Sequence, residues 1–261
     1  MLLGFTSPSP VESEAKPRVP AKAEEAFEDL TPSTVEPSSD VSDVDSAEEE
    51  EEDEVTSFAV EDTIVVFDWD DTILPSTWLQ REGLSLDGSS VPGPEQAAQL
   101  RALARQAART LRCAKRLGSV VLVTNAERGW IELSCHKFVP SLAPLLESLK
   151  IISARSDYEK LGVTSPVEWK CLAFQTECNS FYRCETGDRK RNVISVGDSI
   201  NERTALFSVT KDMRNCCTKS LKFMEQPDIF QLQRQHELVS RSIPQIISHD
   251  GSLDLRVQVS A

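Results

Sequence analysis

Four short apolar runs punctuate the chain: residues 63–67 (TIVVF), 119–124 (SVVLVT), 150–154 (KIISA) and 192–196 (NVISV). The first two, β-branched and aliphatic throughout their centres, predict strands buried on both faces, and the other two predict a shorter third strand and a fourth. The stretches between them are longer and carry a helical composition. Residues 95–117 are rich in Ala, Leu, Arg and Gln, and Gly118 follows as a stop. Helical sequence fills the interval up to Leu149, broken at Pro140, and returns over 167–182 and 201–209. A fifth strand is predicted within 215–224, and a last helix over 229–248 that Pro244 should interrupt. Residues 253–259 alternate like an edge strand.

Strands that alternate with helices predict an α/β fold: a mainly parallel, Rossmann-like sheet with helices on both faces. In such sheets ligands bind beyond the carboxyl ends of the strands. The residues that close each apolar run are therefore the first place to look for chemistry. They are Asp68 and Asp70, then Thr124, then Asp198.

Charge changes the picture only at the amino-terminal side. The 261 residues carry a net charge of -14. Residues 1–57 hold 17 acidic and 3 basic side chains, and residues 58–261 hold 25 of each. The excess is thus a property of residues 1–57, which also contain six of the 14 prolines and the acidic run SSDVSDVDSAEEEEEDE. Such a composition cannot bury enough apolar area to offset chain entropy, so a disordered acidic tail is expected over 1–57 and a single catalytic domain over 58–261. The tail offers charge for a basic partner, and Ser42 and Ser46, each with an acidic residue three positions on, suit an acid-directed kinase. No apolar run is long enough to span a membrane, and none of the features of an export signal opens the chain. Seven cysteines without such a signal are read as reduced thiols, which places the chain inside the cell, in cytoplasm or nucleus. The charge balance of 58–261 gives no reason to expect nucleic-acid binding.

The strand ends form a set. The first reads Asp68-Trp69-Asp70-Asp71-Thr72, the second Thr124-Asn125, and the fourth Gly197-Asp198-Ser199 with Glu202 close behind, while Lys170 lies between the third and fourth strands. An Asp-x-Asp-x-Thr after the first strand, then Thr, Lys and Gly-Asp in that order, resembles the haloacid dehalogenase (HAD) superfamily of phosphohydrolases over residues 64–206. The resemblance implies a magnesium-dependent phosphatase acting on a phosphate monoester. Asp68 is then the nucleophile that forms an aspartyl-phosphate, and Asp70 the general acid and base. Thr124, Asn125 and Lys170 hold the substrate phosphate, with Lys170 also offsetting charge at the reacting centre. Asp68, the backbone carbonyl of Asp70, and Asp198 are the implied Mg2+ ligands, with Glu202 behind them on metal or lysine. The position after Asp70 is often glycine in the superfamily; Asp71 departs from that pattern and adds a carboxylate expected at the site mouth.

Taken singly, each residue has a plainer reading: Asp70 and Asp71 as turn or helix-cap residues, Lys170 as a surface lysine. Their joint order outweighs this. Trp69 is expected to pack rather than touch substrate, and His136, His236 and His249 show no metal spacing. The gaps between motifs leave room for a flap over 73–90 but for no separate cap domain, and an open site of this kind suits a phosphorylated protein or a small phosphate ester as substrate. The same residues are compatible with a phosphotransferase or mutase, or with a silent scaffold that keeps the fold. A phosphorelay receiver is excluded because the third strand ends Ser153-Ala154-Arg155, without Asp.

Overall fold

The computed structural model describes residues 58–183 and 189–259; the tail expected over 1–57 lies outside the described residues. Six strands form one all-parallel sheet: β1 (Thr63–Phe67), β2 (Ser119–Thr124), β3 (Lys150–Ser153), β4 (Arg191–Gly197), β5 (Cys216–Lys222) and β6 (Leu253–Arg256), in the spatial order β3-β2-β1-β4-β5-β6. The eight α-helices among the described residues are α1 (Ser76–Arg81), α2 (Pro94–Leu117), α3 (Trp130–Phe138), α4 (Ala143–Leu146), α5 (Ala154–Tyr158), α6 (Pro166–Phe181), α7 (Ile200–Thr210) and α8 (Ile229–Ser248).

Alternation along each strand sorts the two cores. On β1, Val65 and Phe67 face the layer that holds α2, α3 and α8, and Ile64 and Val66 face the layer of α6 and α7. All five β1 residues are buried, as an apolar central strand requires. In α2 the apolar positions Leu100, Leu103, Ala107, Leu111 and Ala114 recur at helical spacing and turn one side to the sheet.

Three elements differ from expectation, each for a local reason. β3 ends at Ser153 rather than 154, because the Ser153 hydroxyl accepts the Ser156 amide at 3.2 Å and caps α5. α8 runs through Pro244 without interruption. An interior proline costs about 3 kcal/mol, and the flanking Val239, Ile243 and Ile247 are all buried. Each of those side chains contributes about 1.5–3 kcal/mol on burial, which outweighs the loss. β6 stops at Arg256, shorter than the 253–259 alternation suggests, and pairs with β5 as a parallel edge strand.

The flap over 73–90 contains α1, and Lys137 of α3 pins the rest. Its ammonium donates to the Ser85 carbonyl at 2.6 Å and to the Asp87 carbonyl at 2.5 Å. No helix among the described residues is long and apolar enough to cross a membrane.

Candidate functional site

Connections run outward from β1 to β2 and β3 on one side, and from β4 to β5 and β6 on the other. The order therefore reverses between β1 and β4, the switch point where a crevice opens at the carboxyl ends of a doubly wound sheet. Asp68 directly follows β1 and Asp198 directly follows β4. The ladder continues one residue past β1, with the Asp68 amide donating to the Val196 carbonyl at 2.9 Å, so the sheet itself fixes where the Asp68 backbone stands.

Lys170 reaches this point from α6. It is 1% exposed, and its ammonium donates to Asp68 Oδ1 at 2.5 Å and to the Val123 carbonyl at 2.8 Å, with Glu202 Oε1 at 2.8 Å. All three donor positions of the ammonium are thus used. The plainer reading of Lys170 as a surface side chain does not survive this geometry.

Glu202 sits on the first turn of α7. Its other oxygen, Oε2, accepts the Ser199 amide at 3.0 Å and the Ser199 hydroxyl at 2.6 Å, closing the helix cap. Gly197 makes room for it. A Cβ at Gly197 would stand 2.4 Å from Glu202 Cγ, closer than carbon atoms approach without something shifting. The glycine after β4 is therefore required by Glu202 packing over it.

Asp68, Asp198 and Glu202 bring carboxylate oxygens within 4.8 Å of one another. Beyond Lys170, neither Asp68 nor Asp198 accepts a side-chain hydrogen bond among the described residues. Fully ionised, the three carboxylates would outnumber the one ammonium by two charges. Burial first, then Asp68 and the neighbouring carboxylates, push Asp198 up to about 8, with Lys170 opposing. Asp68 is pushed up to about 7 by burial, against the pull of Lys170 and with Glu202 and Asp70 adding repulsion. Glu202 is also buried, yet Lys170, the Ser199 hydroxyl and a backbone N–H outweigh burial and hold it below the ordinary carboxylate value. The two partners of one lysine thus move in opposite directions. A single ammonium offsets a single carboxylate, and Glu202, with these extra donors, takes that place. Burial alone would lower Lys170, but Asp68 and Glu202 reverse the sign and keep it protonated.

Hard oxygen donors in excess over nearby cations fit a divalent ion of the magnesium type. The expected side chains Asp68 and Asp198 are in this cluster, and the ligand expected of Asp70 is its backbone carbonyl, not its side chain. Glu202 joins Asp68 and Asp198, whereas the Asp70 side chain is turned elsewhere. Asp70 Oδ1 accepts the Ser76 hydroxyl at 2.5 Å and the Trp130 indole N–H at 2.9 Å, and its Oδ2 accepts the Thr124 hydroxyl at 3.2 Å. Thr124, closing β2, in turn accepts the Ala126 amide at 3.0 Å. Asn125 donates from Nδ2 to the Pro166 carbonyl at 3.0 Å, tying the β2 end to the start of the Lys170 helix, and its buried Oδ1 has no partner.

Asp71 corrects an expectation. Instead of standing at the mouth it is buried, at a φ of 50°, and accepts the Thr77 amide at 2.8 Å and the Thr77 hydroxyl. That φ lies in the left-handed region that favours glycine and that Asp tolerates better than most residues. Asp71 anchors α1 and so carries Ser76 to Asp70. Trp69 packs as expected, fully buried with its indole donating to Ser134 Oγ at 3.0 Å. The contacts of Ser76 and Trp130 to Asp70 were not foreseen. The only sequence signal for either is an aromatic residue or a hydroxyl a few positions past a motif.

No protein-family model matches the chain, and neither does any curated protein or solved structure.

Proposed function

We propose that the protein is a phosphate-monoester phosphatase that works through an aspartyl-phosphate on Asp68 and uses a divalent cation, Mg2+ by its chemistry. The observation that carries this reading is the buried Lys170 ammonium held between Asp68 and Glu202, beside Asp198, at the switch point of the sheet. A buried lysine in contact with a carboxylate at a strand end suits charge neutralisation at a transferring phosphoryl group. The resemblance to the HAD superfamily in motif order supports the same reading.

In this mechanism an oxygen of Asp68 attacks phosphorus while the leaving oxygen departs. Asp70 delivers a proton to that oxygen and then takes one from the water that hydrolyses the aspartyl-phosphate. Ser76, Trp130 and Thr124 fix the Asp70 carboxyl for both transfers. Lys170 holds Asp68 in position and keeps a positive charge beside the reacting oxygen. Asp68 and Asp198, with Glu202 adjoining, would hold the cation, and the Asp70 carbonyl is a further ligand by the resemblance. When bound, the cation supplies positive charge to the phosphoryl oxygens and to the carboxylates around them. The substrate is a phosphoprotein or a small phosphate ester, and no separate cap domain stands between the motifs among the described residues.

The test is turnover of p-nitrophenyl phosphate with and without magnesium, in the wild type and in Asp68→Asn. Turnover that needs the metal and is lost in the variant is expected. Equal turnover in both proteins would remove Asp68 from the nucleophile role. No turnover on a broad panel of phosphate esters would leave the fold as a scaffold.

A further inference from the structure

Among the described residues outside the candidate site, the most uneven distribution of charge lies on α2. This helix carries six basic residues and one acidic residue, Glu95, although residues 58–261 are balanced overall. Arg101, Arg105, Arg109, Arg112 and Arg116 are all exposed, and Lys115 flanks them. At 3.6 residues per turn these five arginines fall within an arc of about 80° on the side opposite Leu103, Ala107 and Leu111. They form a ladder about 23 Å long with rungs about 6 Å apart. None of the five is in an ion pair among the described residues. At the far end Arg109, Arg112, Lys115 and Arg116 surround a concavity of about 730 Å³ with Leu145 on its wall.

We propose that this arginine ladder is a docking surface for an extended acidic peptide segment of a partner protein. Alternate residues of an extended chain are about 6.7 Å apart, close to the rung spacing, so successive acidic side chains on one edge can each meet an arginine. A membrane surface is disfavoured by the helix itself, because its apolar side is already turned to the sheet and the exposed arc offers nothing to insert. Single-stranded nucleic acid is disfavoured because α2 has no aromatic side chain on which bases could stack. The ladder stands apart from the phosphoryl chemistry and does not depend on it.

The test is fluorescence anisotropy of a labelled peptide with glutamate at alternate positions, titrated with the full chain at low and at physiological salt. Saturable binding that weakens as salt rises is expected. Arg105→Glu/Arg109→Glu/Arg112→Glu should weaken it roughly ten-fold or more, since three attractive charges become repulsive. Lys160→Glu/Lys211→Glu/Arg214→Glu makes the same change in net charge on exposed residues elsewhere and should leave binding within about two-fold. All six positions are on the surface, and unchanged melting temperatures will confirm that both variants fold. The proposal is overturned by absence of saturable binding at low salt, or by equal losses in the two triple variants. Tighter ladder-dependent binding of a single-stranded oligonucleotide of equal charge would also overturn it, in favour of a nucleic-acid surface.

Discussion

Magnesium should stabilise the folded chain, and the carboxylates crowded at the carboxyl ends of β1 and β4 set the pH dependence of the effect. Asp68, Asp198 and Glu202 share one ammonium, so a bound divalent cation offsets the two excess negative charges that their full ionisation creates. A ligand present at about 100 times its Kd, and bound only by the folded state, adds about 2.7 kcal/mol. In a folded unit of about 200 residues, 1 kcal/mol moves Tm by about 2–4 °C, so a rise of about 5–10 °C is expected. The assay is calorimetry of the full chain with and without magnesium at pH 8 and pH 6. Asp198 is pushed up to about 8 and Asp68 to about 7, so both hold protons that the metal must displace as pH falls. The rise in Tm should therefore be larger at pH 8 than at pH 6. Asp198→Asn should abolish the response yet be at least as stable as the wild type without metal, because it removes one member of a repelling set. A Tm that magnesium does not move, or moves equally in Asp198→Asn, would refute the reasoning.

Four further outcomes are expected. Lys170→Met leaves buried carboxylates without a cation and should cost about 3–5 kcal/mol in denaturant titrations at pH 8; the loss should shrink toward acid pH as Asp68 takes a proton, and adding Asp68→Asn and Glu202→Gln should recover most of it. Trp130→Phe removes a donor to the Asp70 carboxyl, so alkyl phosphates, which need leaving-group protonation, should slow by about ten-fold or more, and p-nitrophenyl phosphate should change far less. Gly197→Ala should displace Glu202 and lower both magnesium response and turnover, at about 1–3 kcal/mol in stability. His236, buried between the Thr72 carbonyl at 2.8 Å and Thr110 at 3.1 Å, is lowered by burial from 6.5 to about 4. The unfolded chain binds that proton more tightly, so stability should fall as pH drops through this window, by up to about 3 kcal/mol, and His236→Gln should flatten that part of the slope.

The strands were legible because β1 and β2 are continuous apolar runs closed by a polar residue, and β3 and β4 are shorter or Ser-interrupted versions of the same pattern. β1 and β2 occupy the expected residues, and those end positions include Asp68, Thr124 and Asp198 of the site. Helix α1 was not legible. The sequence STWLQR has no periodic apolar face, and what forms the helix is Asp71 accepting from Thr77, a contact that depends on the left-handed turn at Asp71. The environment of Asp70 was hidden for the same kind of reason, since Ser76 and Trp130 come to it from elements 6 and 60 residues away. The passage of α8 through Pro244 depended on how much apolar surface the helix buries, which no local rule for proline contains.

The placement of β1 in the middle of the sheet sets a timetable for synthesis. Its partner on one side, β2, follows closely, but its partner on the other side begins with Asn192 opposite Thr63, 129 residues later. A ribosome adding about 5–20 residues per second needs about 6–25 s to cover that distance. During this interval the most apolar strand of the sheet exposes an unpaired edge, the kind of template that pairs with other chains. Asp68, the proposed nucleophile, directly follows that same strand. Its carboxylate cannot meet Asp198 until β4 has emerged and docked, so a nascent chain holds half a site and an open edge at the same time.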